Sequence, residues 1–503
     1  MQRRSFLTLA AAGAAGTMTA ASPYESVPRQ HHVTLRDAHK GTLEIDTQLL
    51  DSYVPPPAAK REFYLQSRQW FAENPNADFS DPQILHAAQQ QSLALMGGPM
   101  LGQVADDKVS LWLRPAFDDA ITVRVEPAND GGSRVPLATI PAAAGGQVRH
   151  ADISGLSADH AYRFQIIRKD ETIASGSFRT APAPGRNGIT RIAFGSCFHK
   201  IGLHNPNLIQ SILARRPHAM MLLGDLAVDD RRQNINMHRA DYQLRDVSSA
   251  WCDLVRNVPV YASWDDHDYL DNDLSGLAKG TTPDDRRALR DVWRTNWNNP
   301  ASPKSANGIY FSSRIGDVEI IMLDTRSCRD IKRRGRADCY LGARQLKWLK
   351  QTLADSKATL KIISSGTMWS DFISNGKDSW GTWDPETRES LFQWIEDNEI
   401  PGVALVSGDR HGARGFRIPR PSGFSFYEFE PASLGGVSGP PAMAENCPHQ
   451  LFGYGRDALI AFGEFVVDNS NQQPKITFRL IGESGNVLQE HPIAYQSLCP
   501  ANS

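Results

Sequence analysis

The 503-residue chain has almost no surplus charge: 54 lysines and arginines face 56 aspartates and glutamates, leaving a formal net charge of −2. That balance removes the electrostatic case for a nucleic-acid partner, so any anionic ligand has to be attracted locally. Beyond the N-terminus no run approaches the ~20 consecutive apolar residues of a membrane span, and no stable membrane insertion is expected. Cysteine is scarce, with six in the chain. Cys328 and Cys339 bracket the basic loop CRDIKRRGRADC and are expected to close it as a disulfide in an oxidising compartment. Cys447 and Cys499 are the other candidate pair. Two familiar devices are missing as well. There is no serine nucleophile elbow to support a serine esterase. The stretch DNDLSG places Asp271, Asp273, Ser275 and Gly276 as an EF-hand would, but the closing glutamate position falls on Thr282. Apolar residues, by contrast, make up 41% of the chain. They suffice for a substantial core, and the length predicts two or three domains.

The first residues, MQRRSFLTLAAAGAAGTMTAAS, set Arg3 and Arg4 ahead of an apolar stretch that ends in small residues at Ala20 and Ala21. The stretch is too short, and too rich in Ala, Gly and Thr, for a membrane anchor. It resembles a twin-arginine export signal cut near Ala21, which implies the twin-arginine translocation machinery as a partner and a periplasmic or secreted location. That route carries folded proteins, often already loaded with metal, and raises the expectation of a metalloprotein.

Residues 22–90 form an N-terminal extension whose one legible feature is the helical stretch AKREFYLQSRQWFAENP, which stops at a proline. Residues 91–183 change to short alternating segments, among them VSLWLRP, ITVRVEP and AYRFQIIRK, broken by turn residues. Period-two alternation of this kind predicts a small antiparallel β-sandwich, similar to an immunoglobulin or fibronectin III module. APAPGRNG then reads as a linker. From 189 to 503, runs too apolar to be half-exposed strands (RIAF, AMMLL, VPVYAS, EIIML, LKIIS, VALVS) alternate with amphipathic stretches such as NLIQSILARR and DPETRESLFQWIEDN. Buried strands alternating with helices predict a layered α/β domain.

The residues that follow these strands carry the chemistry. RIAF leads to Cys197, AMMLL to Gly224-Asp225, VPVYAS to Asp265-Asp266-His267, EIIML to Asp324-Thr325-Arg326, and VALVS to Gly408-Asp409-Arg410-His411. Carboxyl ends of strands are where open α/β sheets build their sites. In WDDHDYLDND the concentration of aspartates is self-repelling unless cations or protons neutralise it, which points to bound metal.

Gly-Asp, then Asp-His-Asp, then Gly-Asp-x-His resembles the binuclear metallophosphatase superfamily. FGSC, LLGDLAVDD, WDDHDYLDND, MLDTRS, LGARQLKWL and SGDRHG, in that order, resemble its alkaline phosphatase D (PhoD-like) family. The resemblance implies a four-layered α/β/β/α metallophosphatase-like catalytic domain that hydrolyses phosphate esters, monoesters or diesters, with Fe(3+) and Ca(2+). It also implies Asp225 as a bridging carboxylate, Cys197 as the thiolate on iron, and Asp266, Asn272 and Asp409 as an oxygen set for calcium. His411 is expected as a ligand or phosphate donor, His267 as the acid for the leaving group, and Arg326 or Arg410 as a phosphate clamp, with one of the two arginines in a structural salt bridge. The family tyrosine that binds iron is replaced by His238. Either His238 or Tyr242 takes its place, and with His238 the set also suits zinc. Asp230 stands where a further family aspartate is expected. The competing reading is a non-catalytic calcium-binding surface module that uses the sandwich for adhesion; Cys197, His267 and His411 argue against it, since structural calcium needs neither thiolate nor imidazole.

Overall fold

The computed structural model describes residues 25–128, 137–185, 188–231, 234–304, 306–373, 376 and 378–500; the export signal expected at 1–21 lies outside them. The chain is a mixed α/β protein with four sheets among the described residues. Two small antiparallel sheets occupy the region of alternating segments. One holds Leu95–Gly102, Lys108–Pro115 and Arg149–Ser154, and the other holds Ala138–Ile140, Ile121–Pro127, Ala161–Arg168 and Glu171–Arg179.

A six-stranded sheet follows, ordered Val260–Ala262, Ala219–Leu222, Ile189–Gly195, Ala461–Asp468, Lys475–Gly482, Val487–Ala494, with the first three strands parallel. A seven-stranded sheet carries Val318–Met322, Leu360–Ser364, Val403–Val406 and Ser425–Pro431 as a parallel block. Alternation along these strands divides the apolar residues. Ile192, Phe194 and Phe478 of the six-stranded sheet share one buried cluster with Ile320, Ile362, Val406 and Phe429 of the seven-stranded sheet, and the Phe429 and Phe478 rings stack across at 4.2 Å. Ala193, Met220 and Leu222 instead pack with Leu208, Ile212 and Trp251 of neighbouring helices. Ile321, Ile363 and Leu405 pack with Leu349, Leu391 and Ile395. Trp369, Trp380 and Trp383 belong to that last cluster and are core.

Local signals act as expected in several helices. Asp384 caps Pro385–Asp397 by accepting from the Thr387 N–H at 3.1 Å, with Pro385 in the first turn. The predicted helix in the extension runs Ala58–Glu73. Its Phe63, Tyr64 and Phe71 are buried with Met237, Ala240 and Leu244 of the helix Ile235–Val247, so the extension packs on the layered α/β part. Among the described residues no helix is long and apolar enough to cross a membrane.

The expected disulfide is absent, and all six cysteines are free. The Cys339 thiol donates to the Trp383 carbonyl at 3.1 Å and that of Cys328 to Asn307 Oδ1 at 3.4 Å, so the two sulfurs face different neighbours. The loop is closed by its backbone, Asp330 N–H to Cys339 C=O at 2.9 Å. Thiol titration of the unfolded, unreduced protein is therefore expected to count six reactive groups; a count of four would restore a disulfide.

Candidate metal centre

Both large sheets deliver their parallel strands to one place. Immediately past the strand ends the chain turns sharply, and Cys197, His199, Asp225, Asp230, Asp409 and His411 all have left-handed φ, between 45° and 70°. Non-glycine residues rarely hold this conformation, and they cluster where side chains must be re-aimed at a site. Gly224 is needed for a second reason: at φ +113° a Cβ there would fall 2.5 Å from Asp265 Cβ. Backbone bonds tie the turns together, Cys197 N–H to Gly224 C=O at 2.9 Å and His199 N–H to Asp225 C=O at 2.8 Å.

The donor atoms fall into overlapping groups, each within 4.8 Å: Cys197, His199, Asp225 and His411; Asp225, Asp266 and His267; and Asp265, Asp266 and Asp409, with His39, His199 and Asp229 and His39, Asp230 and His267 adjoining them. Asp225 is common to the first two and Asp266 to the second and third, so these three groups form a continuous row from thiol to carboxylates. Most of these residues are buried. Burial and the neighbouring Asp266 push the Asp225 carboxyl well above the ordinary range, and the same two causes raise Asp409. Burial, with Asp225 next in weight, raises the Cys197 thiol. Burial also raises Asp266, but Arg326 and His267 outweigh it and hold that carboxylate low. His411 is pushed down to about 3 by burial and by His199. Buried lone pairs are left without hydrogen-bond partners at His199 Nε2, Asp225 Oδ1, Asp266 Oδ1 and Asp409 Oδ2. Unpaired buried polar atoms are costly, and here they sit on the residue types that ligate metals, so the donor set fits cations.

His267 stands beside this row. Burial lowers its pKa, but Asp266, Asp225 and Asp230 outweigh burial and raise it well above the usual histidine value. Its Nδ1 lies 2.6 Å from Asp230 Oδ1. Asp230, expected as a possible ligand, is thus engaged with the imidazole; that contact and one with His39 outweigh burial and bring its carboxyl down to about 2.

Several predicted residues stand elsewhere. His238 is buried and bonds through Nε2 to the Arg231 carbonyl at 3.2 Å, outside every donor group. Tyr242 is packed in an apolar cluster, its hydroxyl accepting from Trp297 Nε1 at 3.4 Å. Both lie on the helix Ile235–Val247, and neither shares a donor group with Cys197. His199 takes the imidazole position expected of His238. The sequence signal for it was its place two residues after Cys197 in SCFHK. Asn272 is exposed, and its amide donates to Asp273 Oδ2 at 3.0 Å; the same loop reaches the site through the Asp273 N–H, which donates to Asp266 Oδ2 at 2.6 Å.

Arg326, expected as a phosphate clamp, is 0% exposed and surrounded by carboxylates. Its guanidinium pairs with Asp265, lies 3.0 Å from Asp378 and 3.6 Å from Asp266, and so holds the carboxylates in place. Arg410 is the freer cation: its side chain is 15% exposed, its nearest carboxylate is Asp409 at 4.0 Å, and its Nε has no partner.

Residues 222–451 match the family model described as PhoD-like phosphatase. A solved structure described as PhoD superposes with a TM-score of 0.63 at 20% identity, covering 80% of this chain and 90% of that one. Purple acid phosphatase PPD1 from seeds of yellow lupin (Lupinus luteus) superposes with a TM-score of 0.57 at 15% identity, covering 80% of this chain and 76% of that one. No curated protein matches in sequence. The fold is that of these two phosphatase structures. Residues 222–451 are thus similar to PhoD-like phosphatases.

Proposed function

We propose that this phosphatase is a metal-dependent phosphoesterase acting on phosphate monoesters, diesters or both. The observation that carries the reading is the row of donors joined through Asp225 and Asp266, with buried lone pairs left unpaired along it. Cys197, His199, Asp225 and His411 are a mixed sulfur, nitrogen and oxygen set suited to iron or zinc. Asp265, Asp266 and Asp409 are a hard oxygen set suited to calcium. Bound cations would supply Lewis acidity toward water and the phosphoryl oxygens.

The protein's own groups supply the rest. Arg326 keeps Asp265 and Asp266 in register. Arg410, partly exposed beside Asp409, is the cation available to a phosphoryl oxygen. As water adds to phosphorus and the bond to the leaving oxygen breaks, His267 gives its proton to that oxygen and is left neutral, with Asp230 orienting its ring through Nδ1. A calcium-binding adhesion module has no use for a buried thiol and two imidazoles in one donor group.

The division of apolar residues among three clusters supports an α/β/β/α layering, and the two small antiparallel sheets support an immunoglobulin- or fibronectin III-like module in front of it. The Arg3-Arg4 signal supports export to the periplasm or beyond by the twin-arginine route. Substituting both arginines by lysine should leave the product in the cytoplasm, detectable by fractionation.

His267→Ala is expected to lower kcat by roughly 10²- to 10⁴-fold, the worth of a positioned general acid. Bound metal, measured by elemental analysis, should be retained. Parallel loss of metal and turnover would make His267 a ligand instead.

A further inference from the structure

The extension ahead of the small sheets has no role in the chemistry described so far, yet it is fastened to the site by buried charge. Asp46 of the extension lies 2.7 Å from Arg68 and 3.1 Å from Lys200, and Lys200 is fully buried one residue past His199. Lys200 also lies 3.5 Å from Asp241, which pairs with Arg231 at 2.8 Å. Arg231 directly follows Asp229 and Asp230. Apolar contact runs alongside, with Val33, Ala38 and Leu49 buried against Ile201. Buried ion pairs break at high cost when one partner is withdrawn, so this knot fixes where the short helix Leu35–Ala38 ends.

It ends at His39, inside the site. His39 Nδ1 lies 3.0 Å from Asp230 Oδ2, while His267 Nδ1 lies 2.6 Å from the other oxygen of the same carboxylate. The two imidazoles stack at 4.6 Å, with an interplanar angle of 30°. A carboxylate with one partner can rotate about its χ angles toward solvent; one bonded through both oxygens to two stacked rings is held in a single orientation.

We propose that His39 is a positioning residue for hydrolysis. By fixing Asp230 and covering one face of His267, it aims the proton of His267 at the leaving oxygen, and the site is incomplete without the N-terminal extension. The inference rests on the reading of His267 as the acid. It predicts that the benefit of His39 is felt only where the leaving oxygen needs a proton.

The test uses the full chain with its metals. Turnover of a series of aryl phosphates spanning weakly to strongly basic leaving groups is measured for wild type, His39→Ala, His39→Asn, His39→Phe and His267→Ala. His39→Ala is expected to lower kcat about 10- to 100-fold for strongly basic leaving groups and little for weakly basic ones, with KM and bound metal unchanged. His39→Asn, whose amide can donate to Asp230 from near the Nδ1 position, should restore most of the rate. His39→Phe keeps the stacking without the donor and should not. An equal loss for every leaving group, a lost equivalent of metal in His39→Ala, or no loss in His39→Ala while His267→Ala is impaired would overturn the role of His39 alone. Unimpaired His267→Ala, or a wild type that releases phosphate from no ester, would overturn the acid reading and His39 with it.

Discussion

Replacing Asp225 by asparagine is expected to abolish hydrolysis, by about 10³-fold or more, and to strip bound metal at the same time. Asp225 is the one side chain shared by the thiol–imidazole group and the group containing Asp266 and His267. Asparagine keeps the shape and removes the charge, so it weakens cation binding on both sides of the row without a packing defect. The same substitution should have the opposite sign on the metal-free protein. Without cations, Asp225 is a buried carboxylate beside Asp266 with one oxygen unpartnered, and burial with that repulsion already pushes its proton affinity well up. Metal-free Asp225→Asn should therefore melt at or above the metal-free wild type, whereas with metal the wild type should be the more stable, because only it gains binding energy. Calorimetry before and after chelation measures both signs. A variant that melts lower in both states would mean that Asp225 acts as structural scaffolding.

Arg326→Met is the second large effect, and it falls on stability. Removing one partner from a fully buried ion-pair group costs about 3–5 kcal/mol, because the carboxylates left behind have no compensation. Here these are Asp265 and Asp378, with Asp266 close by. Chemical denaturation of the metal-loaded protein should show that loss, while Arg410→Met, at the more exposed cation, should leave stability within about 0.5 kcal/mol and raise KM. If Arg326→Met instead keeps its stability and raises KM, the phosphate clamp expected from MLDTRS is the correct role.

That contrast shows where sequence reasoning stops. Both arginines follow an apolar strand and an aspartate, and nothing local separates them. What separates them is how many carboxylates converge on each: Arg326 is enclosed by carboxylates from three other segments, Arg410 only by its neighbour Asp409. The cysteines teach the same lesson. Cys328 and Cys339 have the spacing of a small disulfide loop, but the orientation of each thiol is set by Asn307 and Trp383, distant in sequence.

Local signals fared well where the physics is local. Alternation marked strands such as Ile121–Pro127 and Arg149–Ser154, although Lys108–Pro115 is buried on both faces, and continuous apolar runs marked the buried strands, because a side chain's direction follows from its position along its own strand. Asp384 and Pro385 marked a helix start, because a cap acts on N–H groups within one turn. The strand-end motifs placed Cys197, Asp225, Asp266, His267, Asp409 and His411 together, because parallel strands bring their carboxyl ends to one edge. His238 failed because helix phase decides which residue faces the site, and a motif count does not contain that phase. His39 was beyond reach altogether. It lies 228 positions before the imidazole it stacks on, 267 minus 39, and only the buried knot of Asp46, Arg68, Lys200, Arg231 and Asp241 brings the two rings together. By itself, then, the sequence determined the elements, the resemblance and most of the residues that gather at the strand ends, whereas the partners of each charge were decided only by the tertiary structure, since electrostatic pairing depends on distance in space.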